Sequence, residues 1–418
     1  MVVPVASEAS AESARSEEAY ASFIPRDLHR RLAKAGTASA DDQSVSLWSV
    51  GLCLDIAGFT LVTDRLEIGR GEAGIEDVID DLNRCFSAAI AEATRFGGEV
   101  ATVTGDGLVI LWPCAGAAAD GHAVPELVAA GRCALGILER TRDVGTADEN
   151  HFAVKISIGV GEVFVGHLEG DASRGQILVA GPLIADLFAT CALAERGQAV
   201  LTAPAGRFIP SECQARELPH GGFALDAVTG ERESLAVSER REAQHPFEHA
   251  GLRPPAMSAL IDSQQLDWLA ELRVATVMFV GFEGLSCADA PSFDLVRRAA
   301  ARLDQIARAY SGLQEKIQID DKGPFSLISF GLPPRVGSYH PDQALAAAAA
   351  VRGLLKEMGV IARIGIATGK VFRCPVGSET RRDFTIYGTT VHRAVRLMVH
   401  ASDRILCDEE TRGASVQD

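Results

Sequence analysis

The sequence predicts an α+β protein made of two ferredoxin-like domains in tandem. Three observations carry this. Four landmark segments occur twice, in the same order, along the 418 residues. Each set reads as strand, helix, strand, strand, helix, strand, which is the ferredoxin-like order. A charged, proline-containing stretch, "GERESLAVSERREAQHPFEHAGLRPPAM", separates the two sets and reads as a linker.

The first landmark pair is "VGLCLDIAGFTLVTDRL" from Val50 and "VATVMFVGFEGLSCADA" from Val274, apolar strands with Gly58 and Gly284 in matching turns. The second is "GGEVATVTGDGLVILWPC" against "LQEKIQIDDKGPFSLISFGLPP". Each is two strand-like runs around a polar, glycine-containing turn, the signature of a hairpin. The third is "VKISIGVGEVFVG" against "ARIGIATGKVFRC". The fourth, "ILVAGPLIADLFATCALAERGQAVL" against "FTIYGTTVHRAVRLMVHASDRILC", reads as strand, glycine, helix and strand. Helical patterns fill the gaps at about 74–96, 123–143, 291–311 and 342–358.

These marks divide the chain into a mobile segment and short amphipathic helix over 1–44, a first domain over 45–228, a linker over 229–268 and a second domain over 269–418. The first domain runs on into further strand material ending in "GGFALDAV", whereas the second stops soon after "ILCDEET". The expectation is that this chain is the front piece of a longer one, with further C-terminal domains.

Composition narrows the functional classes. With 47% hydrophobic and 23% charged residues the chain can bury sizeable cores. A formal net charge of −16 argues against nucleic acid as a partner, while a nucleoside triphosphate needs only local cations or a metal. The nine cysteines are scattered without a CxxC pair, which fits free thiols in a reducing cytoplasm. The acidic N-terminus is unlike a secretory signal. No apolar run reaches the roughly 18 residues of a membrane span. The expectation is a cytoplasmic protein that does not insert into membranes.

Two carboxylates carry the chemistry. Asp55 closes a buried strand and Asp106 sits in the turn of a neighbouring hairpin, places that can be adjacent at one edge of a ferredoxin-like sheet. Close carboxylates repel, and a divalent cation between them relieves the repulsion. Such a pair suits Mg²⁺, which completes its shell with phosphates and water. The backbone N–H groups of "IAGFT" (Gly58, Phe59 and Thr60) would then face those phosphates. A turn aspartate is also an ordinary hairpin residue, so Asp106 alone leaves both readings open.

"LCLDIAGFT" with "TGDGLVILW", repeated in degraded form downstream, resembles the class III nucleotidyl cyclase catalytic domain. The tandem arrangement is most similar to that of the soluble, bicarbonate-type adenylyl cyclases, and the likeness spans about residues 45–418. The resemblance implies a head-to-tail, pseudo-two-fold pair of domains with the active site between them. Asp55 and Asp106 match the family's metal-binding aspartates, which hold two Mg²⁺ or Mn²⁺ ions. These ions activate the ribose 3′-hydroxyl of ATP for attack on the α-phosphate, giving cyclic AMP and pyrophosphate. Arg396 matches the transition-state arginine. Lys316 matches the adenine-reading lysine and Thr385 its partner, a pair found in adenylyl cyclases, whereas guanylyl cyclases carry glutamate at the lysine position. Lys155 matches a cation that holds the triphosphate.

The pattern departs at His392, where the family carries the asparagine that orients the ribose. Two functions therefore stand side by side: an adenylate cyclase, and a catalytically weak or inactive nucleotide-binding regulatory module. A mirror site is degenerate as well. Gly281 stands where Asp55 would be, and Thr102 and the neighbourhood of Phe188 stand where soluble adenylyl cyclases carry their bicarbonate-binding lysine and arginine. No bicarbonate stimulation through that site is expected.

Overall fold

A computed structural model describes residues 22–35, 44–114, 123–146, 150–168, 176–219, 221–230, 271–333, 335–337 and 340–415. The first twenty-one residues and most of the expected linker lie outside the described residues. A helix, α1 (Arg26–Ala35), precedes the long strand β1 (Ser44–Ala57), which is buried continuously from Ser49 to Leu54. After β1 come helices α2 (Phe59–Arg70) and α3 (Glu72–Arg95), the hairpin β2 (Glu99–Val103) and β3 (Gly107–Pro113), and helix α4 (Val124–Thr141). Strands β4 (Ala153–His167) and β5 (Ile177–Ala180), helix α5 (Pro182–Leu193) and strands β6 (Ala199–Leu201), β7 (Cys213–Glu217) and β8 (Phe223–Val228) complete the first domain. Its sheet runs β2-β3-β1-β4-β6-β8-β7, with β5 also paired to β4.

The second domain repeats the plan. It comprises β9 (Glu271–Glu283), α6 (Ala290–Ala309), β10 (Gly312–Asp320), β11 (Gly323–Phe330), α7 (His340–Glu357), β12 (Ile361–Gly377), β13 (Arg382–Tyr387), α8 (Thr389–Val399), β14 (Ile405–Cys407) and α9 (Glu409–Ala414). The sheet order is β10-β11-β9-β12-β13, with β14 parallel to β12 as β6 is parallel to β4. The repeat extends to detail. Gly58 and Gly284 both turn the chain out of the first strand in the left-handed region, at φ 79° and 82°. Both leading hairpin strands carry a bulge, between Val100 and Thr102 and between Gln314 and Lys316.

The four helical patterns correspond to α3, α4, α6 and α7, displaced by a residue or two at their ends. Helix α2 was not expected, and the second domain has no counterpart between β9 and α6. The reason is a blurred apolar pattern: Phe59, Val62 and Leu66 pack on the first domain's core, while Leu61 is 62% and Ile68 83% exposed. Periodicity therefore carries little signal, and α2 is held by that packing, between Gly58 and Gly71, and by its contacts with Thr389 and His392 of the second domain.

The two domains share their cores. Phe372, Cys374 and Val376 of β12 and Tyr387 of β13 are buried in the first domain's cluster, beneath α3. Reciprocally, Phe164 of β4 and Leu178 and Ala180 of β5 are buried with Phe293 and Val296 of α6. Each such large side chain contributes about 1.5–3 kcal/mol when fully buried. The long strands β4 and β12 thus act as exchanged arms, and the pairing is part of the fold. No described helix is long and apolar enough to cross a membrane, and all nine cysteines are free.

Helix α1 ties this pair together from outside. Leu28 and Leu32 pack on the outer face of the first sheet with Val109 and Leu111. Just upstream, Phe23 stacks on Phe384 of the second domain at 5.8 Å, and the Arg382 N–H donates to Ser22 O. The partly buried Glu99 carboxylate accepts from Asp27 N at 2.7 Å and Leu28 N at 3.0 Å, capping α1. Burial, with the Asp27 charge adding to it, pushes Glu99 up from 4.5 to about 7. A carboxyl raised on folding favours the folded state most when protonated, so this contribution is lost as pH rises from about 4.5 to 7. Chemical denaturation across that range should show stability falling with pH. Glu99→Gln should flatten the slope, and an unchanged slope would exclude Glu99 as its source.

Candidate active site

Pairing of β1 with β3 sets Asp55 opposite Gly107, and Ile56 N donates to Asp106 O at 3.1 Å. The two carboxylates therefore adjoin. They do so at the end of a central strand, not at a sheet edge, because β1 is flanked by β3 and β4. Burial pushes Asp106 up to about 7, and the Asp55 charge adds to it. Asp55 is raised too, chiefly by burial, against the lowering effect of Lys155 directly across the ladder on β4. Two adjoining, desolvated carboxylates, one raised by the charge of the other, are an arrangement a divalent cation relieves. Among the described residues no cluster of three or more metal-ligating side chains occurs, so the rest of an ion's shell would come from phosphate and water.

Beside this pair, Gly58 turns the chain into α2, and no side chain caps the helix. The Phe59 and Thr60 N–H groups thus lack intrahelical acceptors. The Phe59 ring is buried against Phe152 and Tyr387, leaving only its backbone for a ligand. Arg196 Nη2 lies 3.2 Å from where a Cβ on Gly58 would sit, a cation that sequence reasoning missed. Lys155 stands behind Asp55, its ammonium donating to Ala192 O at 3.2 Å.

The second domain supplies the opposite wall. The bulge in β10 re-aims its side chains, and Lys316, 7% exposed, pairs with Asp383 at 2.9 Å while donating to Val103 O of the first domain at 3.2 Å. Asp383 was not anticipated. It precedes Thr385 by two residues on β13, so both face the same side. Gln318 also donates to Val103 O, and Tyr387 Oη donates to Gly105 O at 2.7 Å. The β10–β11 turn adds a second missed group: Lys322, held by Asp320 and Asp321, faces the Asp55–Asp106 pair and lowers both.

On α8, His392 and Arg396 share one face at an i, i+4 spacing. Neither is free: His392 Nδ1 lies 2.8 Å from Asp64 Oδ1, and Arg396 Nη2 lies 3.3 Å from Asp64 Oδ2. Asp64 belongs to α2, and the sequence offered no signal for it beyond a carboxylate in "LVTDRL".

A cavity of about 340 Å³ lies between the domains. Phe59, Thr60 and Asp106 line it from the first domain, and Lys316, Thr385, His392 and Arg396 from the second. Asp55, Gly58 and Lys155 stand just behind that wall. A larger cavity, about 490 Å³, opens on the first domain around Arg132 and Arg140 and contains none of these residues. At the mirror position, a Cβ on Gly281 would meet Arg363 Nε and Met398 Sδ, each at 3.2 Å, so a side chain there would crowd both. Thr102 and Phe188 line a space of only about 10 Å³.

Two ferredoxin-like domains paired around such a cleft have the fold of class III nucleotidyl cyclases. A solved structure of a class III adenylyl cyclase-like ATP-binding protein from Pseudomonas aeruginosa superposes with a TM-score of 0.63 at 13% identity, covering 90% of this chain and 86% of that one. In sequence, the chain is 24% identical over 406 residues to adenylate cyclase type 10 of Oryctolagus cuniculus, and 25% identical over 406 residues to that of Homo sapiens. Each match covers 87% of this chain and 24% of the relative, so the chain spans about a quarter of the length of these curated relatives. An uncharacterized protein of Mycobacterium bovis is 34% identical over 196 residues, 45% of this chain and 33% of that protein. No protein-family model matches.

The carboxylate pair gives a direct test. Without metal, the raised Asp106 favours its protonated form, so stability falls as pH rises from 3.8 towards about 7. Mn²⁺ at pH 7.5 should raise the melting temperature by several degrees. Asp106→Asn should be the more stable protein without metal and lose most of the metal-induced rise; a full rise in that variant would exclude the pair as the metal site.

Proposed function

We propose that the chain is an adenylate cyclase, converting ATP to cyclic AMP and pyrophosphate, with a first cyclase domain over 45–228 and a second over 269–418. One observation carries the reading: one interdomain cavity has a half-buried carboxylate, Asp106, on one wall and the cations Lys316 and Arg396 on the other. That distribution complements a metal-bound triphosphate at one end and an adenine at the other. Asp55 and Asp106 would hold two Mg²⁺ or Mn²⁺ ions, which when bound supply charge neutralisation of the phosphates and acidify the attacking hydroxyl.

The chain's own residues do the rest. The Phe59 and Thr60 N–H groups donate to phosphate oxygens at the start of α2, while Lys155 supplies positive charge from behind Asp55. Lys316 is held by Asp383 in position to donate to a ring nitrogen of adenine, with Thr385 beside it. His392 orients the ribose. Arg396 binds the charge that develops on the α-phosphate, the role in which a preorganised donor contributes most.

A second reading, nucleotide binding without turnover, is favoured by one contact: Arg396 is engaged by Asp64 and must leave it to reach a phosphate. Incubation with ATP and Mn²⁺ separates the two. Cyclic AMP from the wild type that falls at least about 100-fold in Asp55→Ala, the scale of losing a metal-borne charge stabilisation, is the expected result. A silent wild type that gains activity as His392→Asn would instead establish the regulatory module.

A further inference from the structure

We propose that Asp64 is the positioning residue of the second domain's chemistry-bearing pair, and that through it the His392 ring presents a hydrogen-bond acceptor to a ribose hydroxyl of the bound nucleoside triphosphate. For the identity of the ligand, this rests on the function proposed above. Its geometric basis does not.

An ionised carboxylate only accepts hydrogen bonds. With Asp64 Oδ1 2.8 Å from its Nδ1, a neutral His392 ring carries its hydrogen on Nδ1, and Nε2 keeps a lone pair. His392 lines the cavity, and Nδ1 is committed to Asp64, so Nε2 is the ring nitrogen left for a ligand. Phosphate oxygens at neutral pH accept, whereas ribose hydroxyls donate, and an acceptor selects the hydroxyl. An asparagine offers both a donor and an acceptor; the Asp64-held imidazole offers one, in a fixed sense. The side chains of His392 and Asp64 are 15% and 22% exposed, so water competes little for this pair.

The same carboxylate holds Arg396 differently. Its second oxygen meets a guanidinium whose side chain is 63% exposed, at 3.3 Å. An exposed pair of that kind is weak, so an incoming phosphate can take the guanidinium while His392 stays anchored. Asp64 thus acts as a firm support for one group and a rest for the other. Glu67, one turn along α2, bridges the same two helices differently: it accepts from Thr389 N at 2.8 Å and Thr389 Oγ1 at 3.3 Å and touches neither group. It is the internal control for interdomain packing.

The test joins a spectroscopic and a binding readout. Histidine ring ¹⁵N signals report the tautomer of His392, assigned by its loss in His392→Gln. Competition of ATP, 2′-deoxy-ATP and 3′-deoxy-ATP against a fluorescent nucleotide, with Mg²⁺ in the cold, reports ribose recognition. The wild type should show the Nδ1–H tautomer and hold ATP about fivefold or more tighter than at least one deoxy analogue, the scale of one hydrogen bond. Asp64→Ala should shift the His392 signals and reduce that preference below about twofold, while Asp64→Glu restores both and Glu67→Gln leaves both as in the wild type. Unchanged signals and preference in Asp64→Ala would overturn the proposal, as would a wild type indifferent to the ribose hydroxyls, or Glu67→Gln behaving like Asp64→Ala. If no form yields cyclic AMP while the tautomer and ribose preference follow Asp64, the cyclase reading fails and this one stands.

Discussion

The reciprocal burial of two long strands governs everything else in this molecule. β4 and β12 outrun the sheets that contain them, and their outer halves are finished by the other domain's helices. Neither domain closes its own core. Pulling them apart would expose Phe164 on one side and Phe372 and Tyr387 on the other, an apolar area whose burial outweighs any single polar contact at the cleft. The polar contacts can therefore be few and exacting in geometry, because they need not hold the domains together.

That division shows in how the cleft is built. Backbone carbonyls of the first domain's β2–β3 region, Val103 and Gly105, receive Lys316, Gln318 and Tyr387 of the second. These bonds fix the second domain's side chains against an unmovable backbone. The charges that remain at the metal end of the cleft, Asp55 and Asp106 facing Lys322, are imperfectly satisfied within the protein. The raised Asp106 records that imbalance. A site whose groups were fully matched to one another would have little to offer a charged ligand.

The architecture was legible in the sequence because it is written twice: glycine turns, hairpins and strand–helix units recur in order, and repetition filters out chance. Asp55, Asp106, Lys316, Thr385, His392 and Arg396 were legible through their motifs. What could not be read were groups whose role depends on another domain. Exposed Leu61 and Ile68 blur the apolar face that Phe59, Val62 and Leu66 give helix α2, and Asp64, on the surface that meets α8, looked like any exposed carboxylate. Asp383 is visible only once Lys316 is aimed at it by a bulge, and Lys322 looked like a turn lysine. Glu99 reads as a strand-start residue until α1 returns to it from 72 residues earlier. Contacts across such distances leave no periodicity in a single sequence.

The small space at Gly281 has a consequence for stoichiometry. Its ladder partner Arg363 keeps the basic character that Lys155 has opposite Asp55, but no carboxylate faces it, and Arg363 and Met398 crowd the position. With glycine at that position, the adjoining carboxylate pair occurs once in the two domains, not twice. A symmetric pair must treat both sites alike, so any residue change acts twice. Here the two domains are released from that constraint, and one can specialise in charge while the other specialises in shape.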